Sequence, residues 1–199
     1  AEWLEYSPLG RAEWLKMMAV FFNLEAVAQS HFDIIAKDYN SLLQKAATIP
    51  NDQRPIVMTG LEFGGIYYAA GGNSNIAHLI SDAGGDYIWS KDKGTASIET
   101  DLETQLVLGE AADFWINGGA FWDTLEDVAN SDSRYTKFKP FQTGQIWTNN
   151  LAVNPAGAND YYERGVSRPD LILADLISIF HPQLLPQHHF LFYKKLSDY

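Results

Sequence analysis

The chain of 199 residues contains no cysteine. That excludes disulfides, thiol nucleophiles and zinc sites built on cysteine, and it suits an exported protein as well as a cytosolic one. No apolar run reaches the roughly 18 residues of a membrane span, and no signal-peptide pattern opens the chain. Positive charge is scarce: 14 Lys and Arg stand against 25 Asp and Glu, a formal net charge of −11. Broad binding to nucleic acid or to an anionic membrane needs a basic surface that this balance denies. The 15 glycines form neither G-x-x-x-x-G-K-[ST] nor G-x-G-x-x-G, so Gly64-Gly65 and Gly71-Gly72 read as turn glycines rather than a phosphate cradle. A G-x-S-x-G elbow is missing too, which leaves serine-nucleophile hydrolysis without support.

What is present argues for a folded globule. Hydrophobic residues make up 46% and six are tryptophan, enough for one domain or one and a half. Residues 7–47 dominate the pattern. No proline follows Pro8 there and no glycine follows Gly10. Trp14, Met17, Met18, Phe21, Ala28, Phe32, Ile35, Tyr39, Leu42 and Leu43 recur at steps of three and four, one face of a helix. Ser7 caps it and Pro8 suits its first position. A single helix of that length would run roughly 60 Å at about 1.5 Å per residue, too long for so small a domain. Two helices are therefore predicted, 8–22 and 24–47, with Asn23 between them. Residues 1–6 read as the end of a strand with no partner upstream, and the first helix has little chain before it to pack on. Because the chain opens mid-pattern at Ala1, a processed or truncated piece of something longer is expected.

Downstream, strands alternate with helices. Strands are predicted at 55–60, 86–90, 112–117 and 145–148, and helices from 73–81, 101–109, 122–130 and 169–180. The glycine- and aromatic-rich run L-E-F-G-G-I-Y-Y-A-A-G-G reads as a surface loop, and 149–167 as a long irregular one, the kind that is usually functional. Alternation of this kind predicts an α/β, three-layer lobe with a four- to five-stranded mainly parallel sheet, preceded by a long helix.

Candidate chemistry is sparse. His181, His188 and His189 fall within nine residues and offer a shared metal site, but their spacing matches no helical or strand ligand pattern. Helix capping by His181 and a surface position for the pair is the plainer reading. The acidic pairs Glu99/Asp101 and Asp123/Glu126 carry no mark of a perturbed pKa. The aromatics Phe63, Tyr67, Tyr68, Trp89, Phe121, Trp122 and Trp147 sit at or beside predicted strand ends, where open α/β sheets bind ligands. They serve either a large flat ligand or an aromatic core.

The order and spacing of several segments resemble a family. They are S-P-L-G-R-A-E-W-L-K (7–16), the loop ending G-G-N-S, A-G-G (83–85), D-L-E-T-Q-L (101–106), A-D-F-W-I-N (112–117) and Y-Y-E-R-G-V-S-R-P-D-L-I-L-A-D-L (161–176). Together they resemble the cobalamin, haem and iron-siderophore binding proteins of ATP-binding-cassette (ABC) importers. The resemblance runs from that family's interlobe helix to the end of the chain. It implies that residues 1–22 are the end of an absent N-terminal lobe and the joining helix, and residues 23–199 the C-terminal lobe. It further implies a non-catalytic receptor without a resident cofactor, periplasmic or lipid-anchored, which passes a metal chelate or tetrapyrrole to permease subunits. The resemblance makes Glu103, in the helix before A-D-F-W-I-N, the expected permease-docking carboxylate. Ligand contacts fall to the loops bearing Phe63, Tyr67, Tyr68, Trp122 and Arg164. Arg164 is suited to clamp a ligand carboxylate, or else pairs with Glu163 or Asp170. The competing class is a metal-binding or metal-dependent enzyme domain using the C-terminal histidines and acidic loops. A further expectation concerns Trp14, Met17, Met18 and Phe21, a stripe large enough to need cover. Either the second lobe or a homodimer through residues 1–22 would supply it.

Overall fold

The computed structural model describes residues 5–119 and 121–197. Helix α1 spans Pro8–Val20 and α2 Glu25–Ala46. The Ser7 side chain accepts from Gly10 N at 3.0 Å, closing one of the free N–H groups of the first turn. Between the helices Asn23 takes φ +53°, a left-handed conformation that asparagine tolerates, and the chain turns there. Of the expected strand at residues 1–6, positions 1–4 lie outside the described residues, and Glu5 and Tyr6 are not in a strand.

The main sheet has five strands: β1 Ile56–Thr59, β4 Asp86–Tyr87, β6 Phe114–Ile116, β7 Ile146–Thr148 and β8 Lys194–Lys195, in the order β4-β1-β6-β7-β8. Every pairing is parallel except β7 with β8. Residue alternation sorts the sheet into two faces. Val57 and Ile116 join Tyr39, Ile80, Leu173 and Ile177 under α2, α3 (Asn75–Asp82) and α8 (Pro169–Phe180). Met58, Trp115 and Ile146 face the other way, onto Leu102 of α4 (Leu102–Gly109) and Val128 of α5 (Leu125–Ser131), with Tyr135 and Phe138 beyond. The expected three-layer lobe is the observed one.

Another expectation fails. The run 61–72 is not a surface loop. It holds a hairpin, β2 (Leu61–Phe63) and β3 (Ile66–Ala69), that pairs with β5 (Ile98–Thr100) in a second, antiparallel sheet. Gly64 and Gly65 form its turn, both at positive φ. Gly60, where β1 hands over to β2, is at φ +94°, and a Cβ there would lie 1.9 Å from the Tyr68 carbonyl oxygen. No other residue fits that crossing without moving the hairpin. Two short helices complete the chain, α6 (Lys139–Gln142) and α7 (Arg164–Ser167).

On α1 the buried residues are Pro8, Ala12 and Ala19, which let the helix lie close to its neighbours. The larger stripe faces away: Met17 and Met18 are exposed, and Phe21 is 73% exposed. At the far end of α8, His181 ends the helix, and its Nε2 lies 3.0 Å from the Gly84 carbonyl oxygen.

Candidate functional site

Parallel strands β1 and β6 both end at the same edge of the sheet, and a cleft of about 470 Å³ opens there. Ala70 and Gly71 follow β3, and Thr95 to Ser97 lead into β5. Together they build one wall. The opposite wall is Tyr161, Tyr162, Gly165 and Val166 from the loop around α7, with Glu5, Tyr6, Pro8 and Arg11 at the head of α1 beside them. Asn117, the residue just past β6, joins the lining.

The first wall is held by a carboxylate. Asp92 Oδ2 accepts from Gly72 N at 3.0 Å and from Gly94 N at 2.8 Å, while Asn73 N donates to the Gly94 carbonyl at 2.9 Å. The fit is close: a Cβ on Gly72 would come 2.1 Å from the Trp89 carbonyl oxygen. In the second wall Tyr161 packs edge-on against Tyr162, Phe192 and Tyr193, with centroids 5.1, 6.1 and 5.7 Å away. Asn117 Nδ2 reaches the Tyr161 hydroxyl at 3.4 Å. Burial pushes the Tyr161 hydroxyl pKa up, so it stays protonated and neutral at physiological pH while accepting from Asn117. Asn117 is left-handed at φ +51°, and its Oδ1 is enclosed without a hydrogen-bond partner. Backbone strain at a strand end beside a cleft is the kind of feature that accompanies ligand sites.

The residues that sequence reasoning placed in the ligand loops are not brought together. Tyr67 is fully buried and its hydroxyl donates to the carbonyls of Thr59 and Gly60 at 3.0 and 2.9 Å. Trp122 is buried against Trp115, with ring centroids 5.2 Å apart. Tyr68 is half-buried in the hairpin. Phe63 stands 75% exposed at the hairpin tip, and Phe121 is 94% exposed. Arg164 sits beside the second wall, paired with Asp160 at 2.7 Å and lying 5.5 Å over the Phe192 ring. Its partner is thus neither Glu163 nor Asp170, the latter being bound by Arg168 at 2.6 Å.

Glu103 lies on the exposed first turn of α4, where Asp101 caps the helix by accepting from Thr104 N at 2.5 Å. Its carboxylate meets Arg134 Nη1 at 3.1 Å, and the same guanidinium grips Asp132 at 2.7 Å. Those hydrogen bonds to Asp132 push the Arg134 pKa further up and the Asp132 pKa down.

The C-terminal histidines do not converge. His181 is buried at the Gly84 carbonyl, His188 bonds Asp175 at 2.6 Å, and His189 is exposed. No group of three or more His, Cys, Asp or Glu that could hold a metal ion occurs among the described residues.

Cleft residues Asn117, Tyr161, Tyr162 and Arg11 were not singled out from sequence. The length of the loop at 149–167 was the one signal for Tyr161 and Tyr162, and it says nothing of Asn117 or Arg11.

Comparison with known proteins places the chain among relatives. The family described as periplasmic binding protein matches residues 3–148. An uncharacterized lipoprotein of Methanocaldococcus jannaschii is 29% identical over 185 residues, which cover 92% of this chain and 42% of that protein. S. aureus IsdE complexed with heme aligns at TM-score 0.65 and 18% identity, over 88% of this chain and 66% of that one. Helicobacter pylori CeuE with Ni(II) bound aligns at TM-score 0.68 and 12% identity, over 93% and 55%. The chain therefore spans less than half the length of the curated relative and about two thirds or less of the two solved ones, and the structural likenesses speak to the fold.

Proposed function

Because the chain belongs to the periplasmic binding protein family, we propose that it is the solute-binding C-terminal lobe of an ABC importer's receptor. The observation that carries this reading is the cleft at the carboxyl ends of β1 and β6, with one aromatic wall at Tyr161 and Tyr162, neutral hydrogen-bonding groups, and Glu5 and Arg11 as its charged members. Such a lining holds and orients a solute; family members of this kind bind rather than catalyse. In this reading residues 1–22 form the junction to a second lobe and residues 23–199 the lobe itself. The exposed stripe of Met17, Met18 and Phe21 is then partly covered by that second lobe, and the cleft is completed from the far side.

The solute we propose is a metal chelate or tetrapyrrole: haem, an iron-siderophore or cobalamin. Support comes from the aromatic wall at Tyr161 and Tyr162 and from the heme and Ni(II) named for two structural relatives. Of the ligand residues read from sequence, Arg164 contributes from the rim beside Gly165, whereas Phe63, Tyr67, Tyr68 and Trp122 stand outside the cleft lining. An acidic group on the ligand would have to displace Asp160 from Arg164. The protein works outside the cytoplasmic membrane, tethered or free, as the lipoprotein relative supports. No helix among the described residues is long and apolar enough to cross a membrane.

Permease docking falls to Glu103, exposed on α4. An arginine of the permease would compete with Arg134 for its carboxylate, at modest cost because an ion pair this exposed is screened by water and contributes little. Glu103→Arg places like charges together and abolishes the docking bond. In a two-lobed protein carrying this chain it is expected to cut transport at least tenfold while leaving solute affinity within twofold. Uptake assays paired with equilibrium titration check this. A loss of affinity matching the loss of transport would move Glu103 from the docking surface to the fold or the cleft.

A further inference from the structure

Asp175 lies in the middle of α8, fully buried, with its carboxylate turned out of the helix toward the chain's last segment. Oδ1 accepts from His188 Nε2 at 2.6 Å and Leu191 N at 3.2 Å. Oδ2 accepts from Leu191, Phe192 and Tyr193 N at 3.2, 2.8 and 3.1 Å. Three consecutive main-chain N–H groups closing on one anion make a nest, a cradle that holds charge without a cation. A buried carboxylate so fully bonded fixes geometry closely, because any shift of the segment leaves a charge unsolvated.

What the segment carries is the back of the cleft. Phe190 packs on Trp147 at 5.0 Å. Phe192 and Tyr193 are the rings on which Tyr161 leans, and Phe192 also lies under Arg164. The Phe192 carbonyl accepts from Leu151 N at 3.0 Å, at the start of the loop that leads to the tyrosines. Asp175 is absent from the cleft lining, yet two of the three rings that Tyr161 leans on, Phe192 and Tyr193, stand on main-chain N–H groups its carboxylate pins.

We propose that Asp175 is a positioning residue for the ligand cleft, holding residues 188–193 as a rigid backing for Tyr161 and Tyr162. The inference rests on the cleft being the solute site, but its structural half is measurable without a ligand. In Asp175→Asn, amide hydrogen exchange at Leu191, Phe192 and Tyr193 is expected to speed up at least tenfold. The decisive amides are Asp160 and Gly165, which bond the carbonyls of Ala152 and Asp160 within the wall and do not touch Asp175. They too should exchange at least fivefold faster, while Trp115, bonded to Gln145 O across the sheet, changes less than twofold. A merely stabilising role would move Trp115 along with the rest. If Asp175→Asn does not fold, His188→Ala decides by the same amides, since it removes one donor and leaves the carboxylate. Faster exchange at 191–193 with Asp160 and Gly165 unchanged overturns the proposal. In a second arm, hemin and cyanocobalamin are titrated into the wild type and the variant within a two-lobed protein. Weakening of at least fivefold supports the positioning role, and unchanged affinity for a probe that binds the wild type refutes it. If neither probe binds the wild type, the solute reading is what fails, and the exchange result still decides whether Asp175 backs the wall.

Discussion

Trp115→Ala is expected to destabilise the protein by about 3–5 kcal/mol, in the range for deleting a large aromatic from a core. Trp115 is wholly buried on β6, with Trp122, Tyr135 and Phe138 edge-on around it at centroid distances of 5.2, 5.0 and 5.2 Å. Its Nε1 also donates to the Gly60 carbonyl at 2.9 Å, at the handover from the main sheet to the hairpin. The Gly60 carbonyl keeps its bond from Tyr67, so the loss is mainly one of packing. Trp115→Phe should retain part of the ring contact and cost less than half as much. Urea denaturation measures both. A loss under about 1 kcal/mol for the alanine variant would mean that the layer collapses around the void, against the rigid aromatic packing described.

Tyr161→Ala is expected to reduce solute affinity ten- to a hundredfold in the two-lobed protein, about 1.4–2.8 kcal/mol of binding energy. The ring forms the centre of one cleft wall and touches Tyr162, Phe192 and Tyr193. Without it the wall loses both its apolar face and the hydroxyl facing Asn117. Tyr161→Phe keeps the face and loses only the hydroxyl, so its effect should stay under fivefold. Equilibrium titration with hemin, cyanocobalamin and a ferric hydroxamate separates the two. Equal losses for both variants would make the hydroxyl, rather than the ring, the recognising group.

Local rules made much of this fold readable. Ser7-Pro8 starts α1 by a cap and a pre-set φ, and Asn23 ends the run by accepting a left-handed turn. Parallel strands appeared as short apolar runs between turn residues because both of their faces are covered. The hairpin β2-β3 was lost for the opposite reason. Its two glycines and half-exposed alternation look like a loop, although Gly-Gly between alternating residues is also a two-residue hairpin signal. The spacing on α1 was equally two-sided. Steps of three and four picked out Met17, Met18 and Phe21, whereas the face that packs is built on Ala12 and Ala19, where small size matters more than hydrophobicity.

The cleft was harder to see than the fold. Tyr67 and Trp122 stood out as aromatics in glycine-flanked segments, but an aromatic beside glycine is equally able to turn inward, and both do. Asn117 and Tyr161 come together only because β6 ends beside a loop more than forty residues further on, a pairing no local pattern records. The exposed position of Glu103 on the first turn of α4 was readable because a helix start is local, whereas its docking role came only with the resemblance and stands as a proposal.

The central claim is that solute binds where β1 and β6 end. Hydrogen exchange or amide shifts of a two-lobed protein carrying this chain, with and without hemin, cyanocobalamin or a ferric hydroxamate, test it most directly. The expected footprint covers residues 70–75, 95–97, 117 and 161–166, with the elbow at 21–27 and the histidines at 188–189 outside the contact surface. A footprint centred on the elbow or on those histidines, or failure of every probe to bind, would contradict it.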